Sequence, residues 1–200
     1  MRQPASGAEA ERAMSDTFFG GGLIFEDLLP LAWTPAPPAE RLELARLNAD
    51  NQQLLGAESS LEEARVLEAL KDESPALVHE LQRLEFKLNI LLRLTAEISL
   101  REKPMPPMHP VRLGSRGLEW HGGGGPTLGS TGLLQIYVNP ALPQALRMSC
   151  CVAGEHGTGA ARVVQLNFLG QSEQVVALLD KLIFRHHRRL IAGARQAALA

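Results

Sequence analysis

The sequence predicts an α+β protein: a small antiparallel β-barrel sealed by a C-terminal helix and preceded by a helical region with one long coiled-coil helix. Three observations point there. Leucines recur at heptad spacing between Pro75 and about Arg101. Short apolar runs separated by glycine and proline turns follow, from Val111 to Leu169. An amphipathic run then closes the chain. Alternation over a few residues is the mark of half-buried strands, and spacings of three and four are the mark of a helix face.

In chain order, four regions are expected. Residues 1–16 are polar and mixed in charge, and read as a disordered tail. Residues 17–38 form an apolar N-terminal segment without sustained periodicity, expected to pack on its own domain, since left bare it would invite aggregation. Glycines, acidic residues and Pro30 break this segment too often for it to span a bilayer. Residues 39–103 are the helical region. Its first helix, Ala39–Leu55, places Leu44, Leu47, Leu54 and Leu55 on one side, with Leu42 off the stripe. Gly56 and Ser59–Ser60 are expected to end it, and a second helix is expected from Leu61 to about Lys71.

Ser74–Pro75 marks the start of the long helix, serine as cap and proline at the first helical position. Leu84, Leu77, Leu91 and Ile98 then fall at d positions, and Leu81, Leu88 and Thr95 at a. That is a seam for knobs-into-holes packing. The helix would be about 40 Å long at 1.5 Å per residue, and Val78, Leu92 and Leu94 widen its apolar stripe beyond a two-stranded seam. The expectation is a homo-oligomer built by this helix, a homotetramer held by a parallel coiled coil.

Residues 104–200 are expected to hold the barrel and the last helix. Val111–Trp120 reads as a hairpin turning at Gly114-Ser115-Arg116-Gly117, and His121–Pro126 as a flexible glycine-rich hairpin loop. Gly132–Asn139, Ala145–Val152 and Arg162–Leu169 supply further strands. Ser172 should cap a helix whose apolar face is Val175, Val176, Leu179, Leu182 and Ile183 and whose end is basic.

Composition narrows function by exclusion. A formal charge of −2 gives no positive field for nucleic acid. The only cysteines, Cys150 and Cys151, are adjacent and do not build a disulfide framework, so a reducing, cytoplasmic compartment is expected. His186–His187, His156 and the cysteine pair lack metal-ligand spacing, and the glycine-rich loop lacks the lysine of a P-loop. No nucleophile–base or paired-carboxylate arrangement stands out. The expectation is therefore not an enzyme, and without a metal or cofactor. Arg185, Arg188 and Arg189 are candidate contacts for an acidic partner surface, against a plain reading as solvated charges at a helix end.

The strand RVVQLNFLG followed by the helix through LLDKLIFRHHRRLIA resembles the ending of a PilZ domain. GSTGLLQIYVNPALPQALRM and ELQRLEFKLNILLRL are similar to an atypical branch of that family, in which the barrel follows a long helical region. The resemblance covers most of residues 40–195. It implies a bacterial signalling protein related to receptors of cyclic di-GMP. In typical members an Arg-x-x-x-Arg grips the ligand's phosphates, and an (Asp/Asn)-x-Ser-x-x-Gly hydrogen-bonds it.

The second element would fall on Arg112-Leu113-Gly114-Ser115-Arg116-Gly117, where only Gly117 matches. Reading Ser115 as the serine would slip the strand by one residue and turn it to the opposite face. The first element is missing, since the entry segment carries only Arg101 and Lys103. Each charged hydrogen bond lost would cost roughly 1.5–3 kcal/mol. The resemblance thus implies an adaptor that has lost usual cyclic di-GMP binding and acts through protein partners. The alternative is an atypical binding mode through arginines such as Arg112 and Arg116.

Overall fold

The structure is a computed structural model that describes residues 18–63, 79–81, 83–84, 86–88, 90–91, 94–95, 105–139 and 144–197. The expected tail 1–16, the helix start at Ser74–Pro75, and the seam residues Leu77 and Ile98 lie outside the described residues.

Six strands close a barrel in the order β1-β2-β3-β6-β5-β4, each pairing antiparallel. They are β1 (Phe25–Pro35), β2 (Met108–Leu113), β3 (Gly117–His121), β4 (Thr131–Ile136), β5 (Leu146–His156) and β6 (Val163–Phe168). Helix α1 spans Arg41–Glu63 and helix α2 spans Glu173–Ala197. Strands alternate as a barrel requires. Val111, Leu113, Leu118, Trp120, Leu134, Ile136, Val164 and Leu166 fill the interior, joined by Val175, Leu179 and Ile183 of α2.

The apolar segment set apart at the sequence level is part of this barrel. Phe25–Pro30 pair with β2 and Leu31–Pro35 with β4, so β1 closes the cylinder. Pro30 sits where the strand changes partner. A residue without an N–H fits there, because no regular ladder bond is asked of it. The barrel is therefore not confined to residues 104–200.

Helix α1 also departs from expectation, because it passes through Gly56, Ser59 and Ser60 without ending. A helical glycine costs only about 1 kcal/mol, and packing of Leu47, Leu54 and Leu55 outweighs it. Leu42, off the stripe, is 68% exposed.

Three amides on α1 tie it down. Asn51 accepts from the Arg147 backbone N–H and donates to its carbonyl, both at 2.9 Å, and so extends β5 sideways. Asn48 accepts from Ser172 N–H and donates to the Gly170 carbonyl, also at 2.9 Å. Gln52 donates to the Ser172 hydroxyl at 3.0 Å. Ser172 in turn accepts from Val175 N–H at 3.3 Å, the expected cap of α2.

The glycine-rich loop is clamped rather than free. Arg162 donates to the carbonyls of Gly125 at 3.1 Å and Pro126 at 2.6 Å, and to Glu155 at 2.7 Å. Its guanidinium lowers the Glu155 pKa and is itself raised by that carboxylate. Cys150 points into the core, where burial pushes its thiol pKa up, while Cys151 is half-buried.

Candidate functional site

The β2–β3 hairpin turns at Gly114–Gly117, as the sequence suggested, with Gly114 N–H donating to the Gly117 carbonyl at 2.9 Å. A turn centred there pairs Arg112 with Glu119. Continuing across the sheet, Arg112 faces Glu26 on β1, and Glu119 faces Gln165 on β6. These four residues alternate with the interior set, so they lie in one row on the outer face of the barrel.

The row is closed electrostatically. Arg112 donates through Nε to Glu26 Oε1 at 2.8 Å and through an Nη to Glu119 Oε2 at 3.3 Å. Gln165 donates to the other Glu119 oxygen at 3.0 Å. His121 Nε2 stands 3.8 Å from the same carboxylate. The Glu119 side chain is 1% exposed, and a carboxylate so buried needs this neutralising company. Arg112 is thus held by two carboxylates.

Over this hairpin lies the pair Phe18–Phe19, edge to face with ring centroids 4.8 Å apart. A Cβ on Gly114 would stand 2.6 Å from Phe19 Cδ1. On Gly117 it would stand 2.8 Å from both Phe18 Cζ and the Leu166 carbonyl oxygen. Both glycines are present because a ring sits where a side chain would be. The Arg112 guanidinium lies 5.7 Å from the Phe19 ring centre, within reach of a cation–π contact. Beside the rings is a depression of about 400 Å³, with Ser115, Arg116, Asn167 and Asp180 on its walls.

The five motif residues are therefore brought together, but in distinct settings. Arg112 is tied to carboxylates, Gly114 and Gly117 are covered, and Ser115 is half-buried at the rim. Arg116 is 70% exposed, and its guanidinium meets Glu173 at 3.7 Å. Phe18, Phe19, Glu26, Glu119 and Gln165 were not singled out from sequence. The Arg112–Glu119 pairing was legible from the turn centre alone, whereas the aromatic cover comes from a segment remote in sequence and has no local signal.

In the segment expected to form the long helix, the described residues between 79 and 95 are helical. Leu84, Leu88 and Leu91 are 53%, 58% and 59% exposed, and Leu81 is half-buried. Phe86, Ile90 and Leu94 are exposed as well. Thr95 donates its hydroxyl to the Leu91 carbonyl at 2.8 Å, so it satisfies itself on its own helix.

The basic cluster is corrected in one respect. Helix α2 runs on to Ala197, so Arg185, Arg188 and Arg189 lie along its length rather than at its end. The dipole argument made for them does not apply, since that effect fades beyond the last turn. Arg188 lies over the Phe184 ring at 5.9 Å, and His186 packs on Phe25 at 3.9 Å. Among the described residues no group of three or more His, Cys, Asp or Glu side chains is placed to hold a metal ion. No described helix is long and apolar enough to cross a membrane.

The described residues thus form a six-stranded barrel sealed by a helix, with an outer depression of about 400 Å³ beside a glycine hairpin. The sequence profile of the atypical PilZ domain, cyclic di-GMP receptor, matches residues 55–196, and the chain belongs to that family. The match leaves out β1 and the Phe18–Phe19 pair. Among curated proteins there is no match. A solved structure from Xanthomonas campestris shares the fold with a TM-score of 0.70 at 23% identity, covering 94% of this chain and 99% of its own. It is described as a pathogenic protein with a new tetrameric PilZ domain self-assembled via an unusual helical bundle.

Proposed function

We propose that this chain is a non-enzymatic PilZ signalling adaptor that homo-oligomerises through its leucine-heptad helix and acts by protein contacts in the cytoplasm, with cyclic di-GMP binding in the usual mode lost. The observation that carries assembly is the exposure of Leu84, Leu88 and Leu91 on one helix face. Three large apolar side chains left in water on successive turns call for a partner surface. Phe86 and Ile90, exposed outside the a/d seam, favour a bundle of more than two chains, and the tetrameric relative makes four the natural number.

Two features support loss of the usual ligand mode. Gly114 stands where the family motif has serine, and Phe19 fills the space above it. Arg112, the one arginine within the motif strand, is committed to Glu26 and Glu119. Calorimetric titration with cyclic di-GMP tests this half of the reading. No heat of binding is expected at micromolar ligand, and micromolar binding abolished by Arg112→Ala would overturn it.

A second reading keeps the family's ligand in an atypical mode. It is favoured by Arg116, exposed at the edge of the depression, whose ion-pair partner among the described residues is Glu173 at 3.7 Å. In that mode, carried by arginines such as Arg112 and Arg116, the titration shows binding that Arg116→Ala removes.

A further inference from the structure

Helix α2 buries one side and exposes another. Val175, Leu179 and Ile183 turn into the barrel. Phe184, Arg188 and Ile191, spaced four and three apart, share a side that faces solvent. Phe184 is 49% and Ile191 42% exposed, and the Arg188 guanidinium lies 5.9 Å from the Phe184 ring centre. From Lys181 to Ile191 the sequence holds one lysine, three arginines and no acidic residue. Large apolar side chains in a cationic setting ask for a partner that is both apolar and acidic.

The chain itself carries such a surface, on the outer face of β1 and β2. Leu28 pairs there with Pro110 and is 53% exposed. With Glu26, Asp27 and Arg112 these two residues line a depression of about 410 Å³, in the size range of pockets that seat a ring. Glu26, Asp27 and the Glu119 carboxylate bonded to Arg112 outnumber that guanidinium, so the depression is negative on balance. The two surfaces are also neighbours. Helix α2 crosses β1 where His186 packs on Phe25 at 3.9 Å, and Glu26 and Asp27 come next along that strand.

We propose that the Phe184–Arg188–Ile191 side of α2 docks into the Glu26–Asp27–Leu28–Pro110 depression of a second copy of this chain. Phe184 seats against Leu28 and Pro110, and Arg188 faces Asp27. The contact rests on the reading that the heptad helix assembles the chain, and adds an interface between the barrels. A parallel bundle would hold the barrels of its copies at one end, so each meets its neighbour at high effective concentration. The apolar groups on both sides leave water, and the basic and acidic groups fix the register.

The test is sedimentation velocity of the full chain over a dilution series, comparing the intact protein with Asp27→Lys, Arg188→Glu, the two together, and Phe184→Ser. Circular dichroism confirms the fold of each. Each single reversal should raise the dissociation constant of the oligomer at least about fivefold, and the pair together should return it to within about twofold of the intact value. Phe184→Ser, which alters no charge, should weaken the oligomer in the same direction. It keeps the contact testable should Asp27→Lys disturb the strand through the bond that Asp27 accepts from Leu28 N–H. Reversals that add without rescue, or an oligomer indifferent to every variant, overturn the contact and leave both surfaces to partners of other chemistry. A single chain in the intact protein sinks the assembly reading and the contact together, whereas an oligomer that ignores the variants sinks the contact alone.

Discussion

The barrel and the heptad helix use the same residue types to opposite effect. In the barrel, Leu113, Leu118, Leu134 and Leu166 are fully buried among each other and under α2. Along the helix, Leu84, Leu88 and Leu91 are more than half exposed. Those four barrel leucines are covered within one chain, and, among the described residues, these three on the helix are not. Burying a leucine gives roughly 1.5–3 kcal/mol, so the helix holds a reserve of association energy that only another surface can release. Substitutions in the two regions should therefore separate: barrel changes should lower the stability of the chain, and helix changes should lower its mass in solution.

The largest effect is expected from removing residues 1–35. Without β1, both β2 and β4 present open edges, and cooperative unfolding by circular dichroism should disappear. A smaller cut into the same core, Leu134→Ala, should cost about 2–5 kcal/mol in urea melts. Next comes Asn51→Ala, which strands the Arg147 N–H and carbonyl that the amide serves. About 1–3 kcal/mol is expected, read by the same melts. At the small end, Leu42→Ala should stay within about 0.5 kcal/mol, since that side chain already faces solvent.

The Glu155–Arg162 contact gives the comparison a pH axis. Its guanidinium partner holds the Glu155 carboxyl below the ordinary 4.5. The stabilisation is present above that ordinary value and is lost as pH falls through the lower folded one. Arg162→Ala should lower the melting temperature at neutral pH, and the gap from the intact protein should narrow in acid below about 4.5. A gap unchanged by acid would assign Arg162 to its two carbonyl bonds alone.

Much of the barrel was legible in the sequence because its signals are local. The turn at Gly114–Gly117, the alternation LLQIYV and the cap at Ser172 each declare themselves within a few residues. β1 did not, for two reasons. Pro30 and Pro35 interrupt its pattern, and its partners lie beyond the whole helical region, so closure is a long-range event without a local mark. The same holds for the site. Arg112 opposite Glu119 follows from the turn, but the Phe18–Phe19 cover and the Asn48, Asn51 and Gln52 contacts arise only when distant segments meet. The end of α1 was misplaced because glycine and serine punctuate helices only where packing does not override them.

The claim that the heptad helix assembles this protein is tested most directly by multi-angle light scattering on the full chain beside Leu84→Glu/Leu88→Glu. The intact protein should run at a multiple of its 21.7 kDa chain mass, four chains in the expected case, and the variant as a folded single chain. A single chain in both, or the same oligomer in both, would contradict the account.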